Sequence, residues 1–240
     1  MDITWIAGAG VLAIASGVFG LTGFGIGLVA LSLLPLLMPP ATVVPLITIY
    51  GAIFALAMTL QLRRDVMWSR LAELIVGTLL GTPIGIWVLA TLPGGLLKRL
   101  IGLMLIALVV VEWSGAYPKK LSGRVWGVGA GVLAGLLGGA IGMPGPPVVL
   151  YTVAQGWSPR AIKATLQAFF LVNQAAILWG YWWADLVTHE VVWLAASYAL
   201  PASAGFALGL RLFTDVDQRL FRRLMFGLLL GLGLLLVLYS

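Results

Sequence analysis

The chain contains no cysteine and a single histidine, and only 9% of its 240 residues are charged. Without cysteine it can form no disulfide, no thiol nucleophile and no thiolate metal site. The histidine, His189, stands beside Glu190 at the rim of an apolar segment, which is typical of a solvated pair. No glycine-rich phosphate-binding loop is present either. We therefore expect no catalytic residue, no bound metal and no cofactor, and an enzyme is disfavoured.

Hydrophobic residues are what the chain has in excess: they make up 61% of the sequence, and the mean hydropathy is +1.08. A domain of this size and composition cannot stay dissolved in water, so we expect an integral membrane protein. The formal net charge of +6 would suggest a nucleic-acid partner for a soluble protein. Here the basic residues lie beside apolar segments, where orientation in a bilayer explains them. The expected partner is therefore the lipid bilayer, and no nucleic acid is expected.

The chain also repeats itself in loose form. Gly17 and Gly135 each open a glycine-rich stretch and are 118 residues apart, whereas Gly85 and Gly205 correspond at a distance of 120. A slowly drifting distance is expected of a duplicated unit with small loop insertions. We place the first membrane repeat at residues 1–118 and the second at residues 119–240, together forming a single transport domain.

Each repeat begins with an apolar run that is too long for one crossing, at 5–37 and 125–153, and three ordinary runs follow. A straight helix over the first run would be about 50 Å long, against a hydrocarbon core of about 30 Å. Glycine and proline clusters in both long runs predict a break near mid-depth. If these runs dip into the membrane and return, every lysine and arginine except Lys98 and Arg99 falls on one face, which the positive-inside rule makes cytoplasmic.

This topology defines the expected fold class. It is an all-α integral membrane protein of two inverted repeats, each with a broken glycine-rich helical segment, re-entrant or discontinuous, and three transmembrane helices. Both termini would then lie on the non-cytoplasmic side. The alternative is eight full crossings in two parallel repeats. Inverted repeats with broken helices at their interface are the recurrent architecture of secondary transporters.

The two helix breaks are the expected substrate site. A helix that starts inside the membrane directs unpaired N–H groups and the positive end of its dipole into the protein, which suits a small oxyanion. The residues expected to bind there are Thr22, Gly23, Gly25, Gly27, Gly142, Pro144 and Gly145. Other glycines, regularly spaced, are expected to allow close helix packing. These are Gly77, Gly81 and Gly85 in the first repeat and Gly127, Gly131 and Gly135 in the second.

One apolar segment of the second repeat carries several polar side chains. Gln167 and Gln174 are seven residues apart and share a helix face, Asn173 points about 100° away from Gln174, and Lys163 lies one turn before Gln167. Polar groups are costly in hydrocarbon and therefore indicate function. We expect all four to bind substrate, although an interfacial lysine also extends to the membrane surface in ordinary helices.

Acidic residues are missing from the predicted middle of the membrane. Asp65, Glu73, Glu112, Asp185 and Glu190 all lie near predicted segment ends. A proton or sodium relay needs a carboxylate within the membrane, so cation transport is disfavoured. An inside-negative potential can drive an anion outward without a coupled ion, by about 2.3 kcal/mol per charge per 100 mV.

Three stretches carry a resemblance to a known family: GLTGFGIGLVALSLLPLLMPPATVVPL from Gly20 to Leu46, its echo GLLGGAIGMPGPPVVLY, and the following GWSPRAIKATLQ. With them the chain resembles the TauE/SafE family of sulfite exporters over almost its whole length. The resemblance implies a bacterial inner-membrane permease for sulfite or a related sulfur anion, such as thiosulfate or a small organosulfonate.

The sequence departs from the family pattern at residues 43–46. Many relatives have polar residues there, where this chain has Val-Val-Pro-Leu. Lys163 and Gln167 therefore have no mirror partners in the first repeat. The site is expected to be asymmetric, and its substrate need not be sulfite.

The predicted function is thus secondary transport, in the outward direction, of a small sulfur-containing oxyanion at the interface of the two repeats. Two alternatives stay open: a proton-coupled importer of a sulfur anion, and a non-transporting membrane assembly or receptor subunit. The small anionic substrate is the expected partner besides lipid, and association into a homo-oligomer is left open.

Overall fold

The computed structural model describes residues 3–114, 121, 123–212 and 218–238, and these residues form helices and connections without a strand. Backbone groups in hydrocarbon must be satisfied within their own segment, which favours helix throughout such an apolar chain. The α-helices in chain order are α1 (Ile3–Thr22), α2 (Ile26–Leu33), α3 (Pro40–Leu62), α4 (Trp68–Thr91), α5 (Gly94–Ser114), α6 (Arg124–Ile141), α7 (Gly145–Val153), α8 (Pro159–Trp183), α9 (His189–Ser197), α10 (Ala199–Leu212) and α11 (Gln218–Leu238).

Six of the described helices are long and apolar enough to cross a membrane: α1, α3, α4, α5, α6 and α8. Helices α9 and α10 meet at a bend of 53° and pass the same test together, which gives up to seven spans. Helices α2 and α7 have only 8 and 9 residues and are too short to cross. The prediction of an all-α chain with membrane-length helices is confirmed.

The described helices form two compact units, each drawn from distant parts of the chain. The terminal unit comprises Met1–Ile47, Leu92–Ala116 and His189–Ser240, and the central unit comprises Thr48–Thr91 and Tyr117–Thr188. Each unit takes helices from both halves of the sequence. The compact units are therefore not the sequence repeats, and the division at residues 118 and 119 stays a prediction.

In the terminal unit, helices α1 and α10 pack closely because glycine lets their backbones touch. A Cβ atom at Gly205 would lie 2.0 Å from the carbonyl oxygen of Ala13, and one at Gly209 would lie 2.0 Å from that of Gly17. Helices α5 and α11 approach each other in the same way where α5 carries a glycine. No larger side chain fits at these positions unless a helix moves.

In the central unit, helices α4 and α6 form a pair of the same kind. A Cβ atom at Gly81 would lie 2.0 Å from the carbonyl oxygen of Val132, and one at Gly131 would lie 2.2 Å from that of Leu74. The same close approach occurs at Gly77, Gly85 and Gly135. The packing role predicted for these five glycines is confirmed. Later residues of α4 contact later residues of α6, so the two helices run parallel.

Gly127 makes room for side chains instead of a second backbone. A Cβ atom there would lie 2.7 Å from Glu73 Oε2 and 3.1 Å from the hydroxyl of Tyr151. That hydroxyl donates to Glu73 at 3.2 Å, and Arg70 forms an ion pair with the same carboxylate at 3.1 Å. Glu73 thus lies in the second turn of α4, near a helix end as predicted, and its charge is paired.

Helices α6 and α7 fold back on each other as a hairpin. Tyr151, near the end of α7, lies beside Gly127, near the start of α6. Just beyond α7, the Gln155 side-chain amide donates to the carbonyl oxygen of Leu121 at 2.6 Å. The chain from 121 to 155 therefore returns to the end of the central unit at which it began.

Helix α8 then runs beside α4 in the same direction. Its N-cap is Ser158, whose hydroxyl oxygen accepts a backbone N–H three residues on, and a proline follows at the first helical position. Near its start, Thr165 Oγ1 accepts the N–H of Met67 at 3.1 Å, and near its end Gly180 faces Ile86. Helices α4, α6 and α8 are consequently parallel, with their first turns at one end of the unit.

Candidate functional site

The break in the terminal unit separates α1 from α2 at residues 23–25. Gly23 ends α1, its N–H donating to the carbonyl oxygen of Phe19 at 2.7 Å. Gly25 precedes α2 with φ of 102°, a conformation that residues with a Cβ rarely adopt. The glycines predicted here therefore act first through the backbone, because they allow the chain to turn between two helices.

Thr22 holds this break together. Its hydroxyl oxygen accepts the N–H of Phe24 at 3.2 Å, and its proton can go to the carbonyl oxygen of Val18, 2.9 Å away, or to that of Phe24, which it also contacts. The hydroxyl predicted to bind substrate is thus engaged within the chain. Its role in this structure is to fix the turn.

The start of α2 supplies backbone donors. The first N–H groups of a helix have no intrahelical acceptor, which here applies to Ile26, Gly27 and Leu28. The ladder begins one residue later, where Val29 N–H bonds to Gly25 O at 3.3 Å. A Cβ atom at Gly25 would meet only ordinary contacts, of which Val18 is the nearest at 3.4 Å. The break therefore offers N–H groups without an intrahelical acceptor, at a position where a Cβ atom would cause no clash.

The break in the central unit separates α6 from α7 at residues 142–144. Gly142 takes φ of 69° and ψ of 21°, its N–H bonds to Gly138 O at 2.9 Å, and Met143 N–H bonds to Leu137 O at 3.2 Å. This is the usual glycine ending of a helix. Helix α7 then begins Gly145-Pro146-Pro147, and proline has no N–H. Only Gly145 among the first three residues of α7 can donate, so the two helix starts differ.

A buried side chain lies against this second break. The Asn173 amide nitrogen donates to Thr78 Oγ1, and its oxygen has no hydrogen-bond partner within the described part of the chain. A Cβ atom at Gly138 would lie 3.3 Å from that oxygen and 3.1 Å from Pro144. Asn173 is fully buried. The structure thus brings together three residues at the break, of which Asn173 and Pro144 were predicted site residues.

Tyr181 stabilises the end of α6 by hydrogen bonding to its backbone. It is fully buried, and its hydroxyl donates to the carbonyl oxygen of Gly139 at 2.7 Å and lies 3.3 Å from that of Gly138. Sequence reasoning missed both Tyr181 and Thr78. A signal for the first was present, because Tyr181 continues the seven-residue spacing of Gln167 and Gln174 on one face of α8.

The remaining predicted residues of α8 lie away from the break. Gln174 is buried against α3, where a Cβ atom at Gly51 would lie 2.5 Å from its amide nitrogen. Gln167 is also buried. Lys163 is half-buried in the second turn of α8, ten residues before Asn173, which is about 15 Å along a helix axis. The structure therefore does not bring Lys163 to the break.

The central unit also contains a groove of about 510 Å³ between α4 and α8, lined mostly by apolar side chains that include Trp87 and Trp179. None of the predicted site residues lines it. Within the described ranges, no three histidine, aspartate or glutamate side chains are grouped so that they could hold a metal ion.

Six described helices of membrane length define a class: a polytopic membrane protein. Residues 7–236 match the family model described as "Sulfite exporter TauE/SafE". The chain is 29% identical over 224 residues to a protein of Cupriavidus necator described as a probable sulfite/organosulfonate exporter TauE, and the alignment covers 88% of this chain and 85% of that one. No solved structure matches the chain.

The chain therefore belongs to the TauE/SafE sulfite exporter family. Members of this family are membrane transporters and not enzymes, so the predicted resemblance, the transporter class and the non-enzymatic nature of the protein are confirmed. Its helices make it an integral membrane protein.

Proposed function

We propose that this protein is a secondary transporter that exports a small sulfur-containing oxyanion, either sulfite or a related thiosulfate or organosulfonate, across the bacterial inner membrane. The observation that carries the proposal is the pair of helix breaks. One offers unpaired backbone N–H groups at the start of α2, and the other offers the N–H of Gly145 together with the buried acceptor oxygen of Asn173. Uncharged hydrogen-bonding groups of this kind bind an anion without holding it too tightly for release.

We further infer that the two repeats are inverted and that each begins with a re-entrant segment. The hairpin of α6 and α7 supports this, since Gln155 bonds back to Leu121 at the start of the segment. A run that returns to the side it left makes the number of full crossings per repeat odd, which inverts the second copy. With the basic residues on the cytoplasmic side, both termini would lie on the non-cytoplasmic side.

The membrane potential is the proposed source of energy. An inside-negative potential favours anion exit by about 2.3 kcal/mol per charge per 100 mV. Lys163, half-buried near the start of α8, and Gln167 beyond it would attract the anion from the cytoplasmic face toward Asn173. Gln174 would position α3 beside α8.

The decisive experiment is flux from liposomes that contain the purified protein. The liposomes are loaded with labelled sulfite, an inside-negative potential is imposed with a potassium gradient and valinomycin, and efflux is compared with that from protein-free liposomes. We expect potential-driven efflux that thiosulfate or a small sulfonate inhibits and that sulfate inhibits less. Absence of efflux for every sulfur anion tried, with the protein correctly inserted, would contradict the proposal and favour a non-transporting subunit.

A proton-coupled importer is distinguished in the same liposomes. Reversing the potential and imposing an acidic exterior should accelerate uptake only if a proton enters with the anion. The best-buried acid in the described central unit, Glu73, is paired with Arg70 and Tyr151, which does not suit a proton carrier. Uptake driven by a pH gradient at zero potential would favour the importer.

A further inference from the structure

We propose that Asn173 makes the central break selective for a singly charged oxyanion that carries one hydrogen-bond donor of its own. For sulfite this is hydrogensulfite and not the fully deprotonated dianion. Among sulfonates it is one with a hydroxyl group near the sulfonate. The inference rests on the proposed function, because it names which protonation state and which subclass of sulfur anion the same site takes.

The surroundings of the Asn173 amide favour an anion of low charge. The groups that touch the Asn173 amide or the adjoining end of α6 are those of Thr78, Gly138, Pro144 and Tyr181, all neutral. The charging cost of burying an ion grows with the square of its charge, so a dianion costs about four times as much as a monoanion in the same surroundings. Without a cation beside it, this break favours a single charge.

The charged residues of the neighbouring helices lie elsewhere. They are Arg70 and Glu73 on α4, Arg124 on α6, and Arg160 and Lys163 on α8. The titratable groups nearby are Tyr151 and Tyr181, with Asp65 just before α4, paired with Arg160, and Asp185 just after α8. Because α4, α6 and α8 are parallel, the charges on these helices gather in the first turns at one end of the unit. The nearest along its helix, Glu73, is five residues before Thr78, about 7 Å along the axis. The break therefore lies beyond the charged end.

The Asn173 side chain also favours an anion that can donate a hydrogen bond. The Asn173 amide nitrogen is engaged by Thr78, which leaves a buried acceptor oxygen without a partner within the described residues. A buried acceptor left unpaired is destabilising, and a ligand with an O–H or N–H can satisfy it. A fully deprotonated sulfur oxyanion has only hydrogen-bond acceptors. It would place an oxygen against the Asn173 oxygen, and no hydrogen bond could form between them.

Backbone donors are scarce at this break. Two prolines in the first turn of α7 remove N–H groups that would otherwise favour a more highly charged anion. The N–H of Gly145 remains to hold one substrate oxygen, while Asn173 receives the proton-bearing one. The prolines and the amide thus both favour a monoanion that carries its own hydrogen-bond donor.

The test compares two sulfonates that differ by one hydroxyl, 2-hydroxyethanesulfonate and ethanesulfonate, in the liposome assay at subsaturating concentration. The wild-type protein should transport the hydroxylated probe roughly tenfold faster, the effect of one satisfied buried hydrogen bond. Asn173→Leu, which keeps the side-chain size, should abolish the preference. The matched control is Thr91→Val, at the exposed end of α4, where Thr91 bonds only to the carbonyl of its own helix.

A second measurement on the wild-type protein needs no variant. With a tenfold sulfite gradient and equal pH on both sides, the potential that stops net flux is about 59 mV for one charge per anion and about 30 mV for two. We expect the first value, together with flux that rises as pH falls at constant total sulfite, because the hydrogensulfite fraction rises.

The outcomes separate the two proposals. Flux of both sulfonates at equal rates, the result expected if Thr78 instead donates to the amide oxygen, would overturn the selectivity while leaving the transporter intact. A stopping potential that corresponds to two charges would overturn it as well. No flux of any probe above protein-free liposomes would instead remove the proposed function itself.

Discussion

The helix break of the terminal unit and that of the central unit follow a similar backbone course but present different hydrogen-bonding groups. Both follow a long helix, turn at left-handed glycine backbone (Gly23 and Gly25 in one, Gly142 in the other), and lead into a helix of 8 or 9 residues. At the first, Thr22 fixes the turn from within and the start of α2 keeps its N–H groups. At the second, prolines remove most of these donors, and Asn173 and Tyr181 from α8 approach the break instead.

This difference shows how a duplicated unit can become asymmetric without changing its fold. Helices α3 and α8 both begin at a proline, and 14 residues further on lie Phe54 and Asn173 respectively. Phe54 stacks on Tyr50 with ring centroids 5.9 Å apart, whereas Asn173 turns a carboxamide toward a break. The asymmetry expected from Lys163 and Gln167 thus extends to the position where the structure places a polar group at a break.

The largest effect should come from the helix pairs that support both breaks. Gly81→Val directs a side chain at the Val132 carbonyl and Gly209→Val directs one at the Gly17 carbonyl, so each should cost more than about 3 kcal/mol and leave little folded protein. The fraction of monodisperse protein in detergent measures this. The controls are Gly129→Val on α6 and Gly10→Val on α1, where an added Cβ meets nothing within 4 Å. If Gly209→Val left the fraction of monodisperse protein unchanged, close glycine packing would not be equally important in the two units.

The next effect should distinguish the two turning glycines. Gly142 at φ of 69° lies near the centre of the left-handed helical region, which asparagine also adopts, whereas Gly25 at φ of 102° lies farther from that centre. Gly25→Asn should therefore destabilise by about 1–3 kcal/mol and Gly142→Asn by less. Thermal unfolding followed by tryptophan fluorescence measures both, with Gly145→Ala as a control that has no left-handed backbone. Equal losses would show that the breaks are conformationally equivalent.

A smaller loss of stability is expected when the hydroxyl group that hydrogen-bonds at each break is removed. Tyr181→Phe removes the bond to Gly139 O and should destabilise the protein by about 1 kcal/mol. Thr22→Val removes the bond that Phe24 N–H makes and should cost a similar amount. Amide hydrogen exchange should then rise locally, near 138–142 in the first variant and near 22–26 in the second. Exchange that rises across the whole chain would mean that these hydroxyl groups stabilise the entire fold and not the breaks alone.

The smallest effect should follow from a change that spares both breaks. Arg160 pairs with Asp65 at 2.9 Å, but its side chain is 71% exposed. Arg160→Gln should therefore change stability by less than about 1 kcal/mol, and less still in high salt, because exposed ion pairs are screened. Sulfite flux at two salt concentrations provides the second readout. A flux loss greater than that of Tyr181→Phe would assign Arg160 a role that its position does not suggest.

Part of this structure could be predicted from the sequence. The apolar composition required helices of membrane length, and the glycine clusters marked 23–25 and 142–144 as interruptions because glycine tolerates left-handed backbone and proline ends a hydrogen-bond ladder. Regular glycine spacing in α4 and α6 predicted close packing, since residues four apart share a helix face.

Other features could not be predicted. Periodicity tells which residues share a face of α8, but not which helix that face meets or at what height. Thr78 was therefore missed as the partner of Asn173, and Lys163 was grouped with residues about 15 Å away along α8. Likewise, nothing in the order of residues showed that the Thr22 hydroxyl would be used by the turn itself.

By itself, the sequence determined that this protein lies in a membrane, that two of its helical segments are interrupted, and where the interruptions fall, because these properties depend on local hydrophobicity and on the backbone freedom of glycine and proline. Only the tertiary structure decided that the two breaks carry different hydrogen-bonding groups. That outcome depends on the register in which α8 packs against α4 and α6, and register is set by contacts between residues 35 to 98 positions apart in the chain.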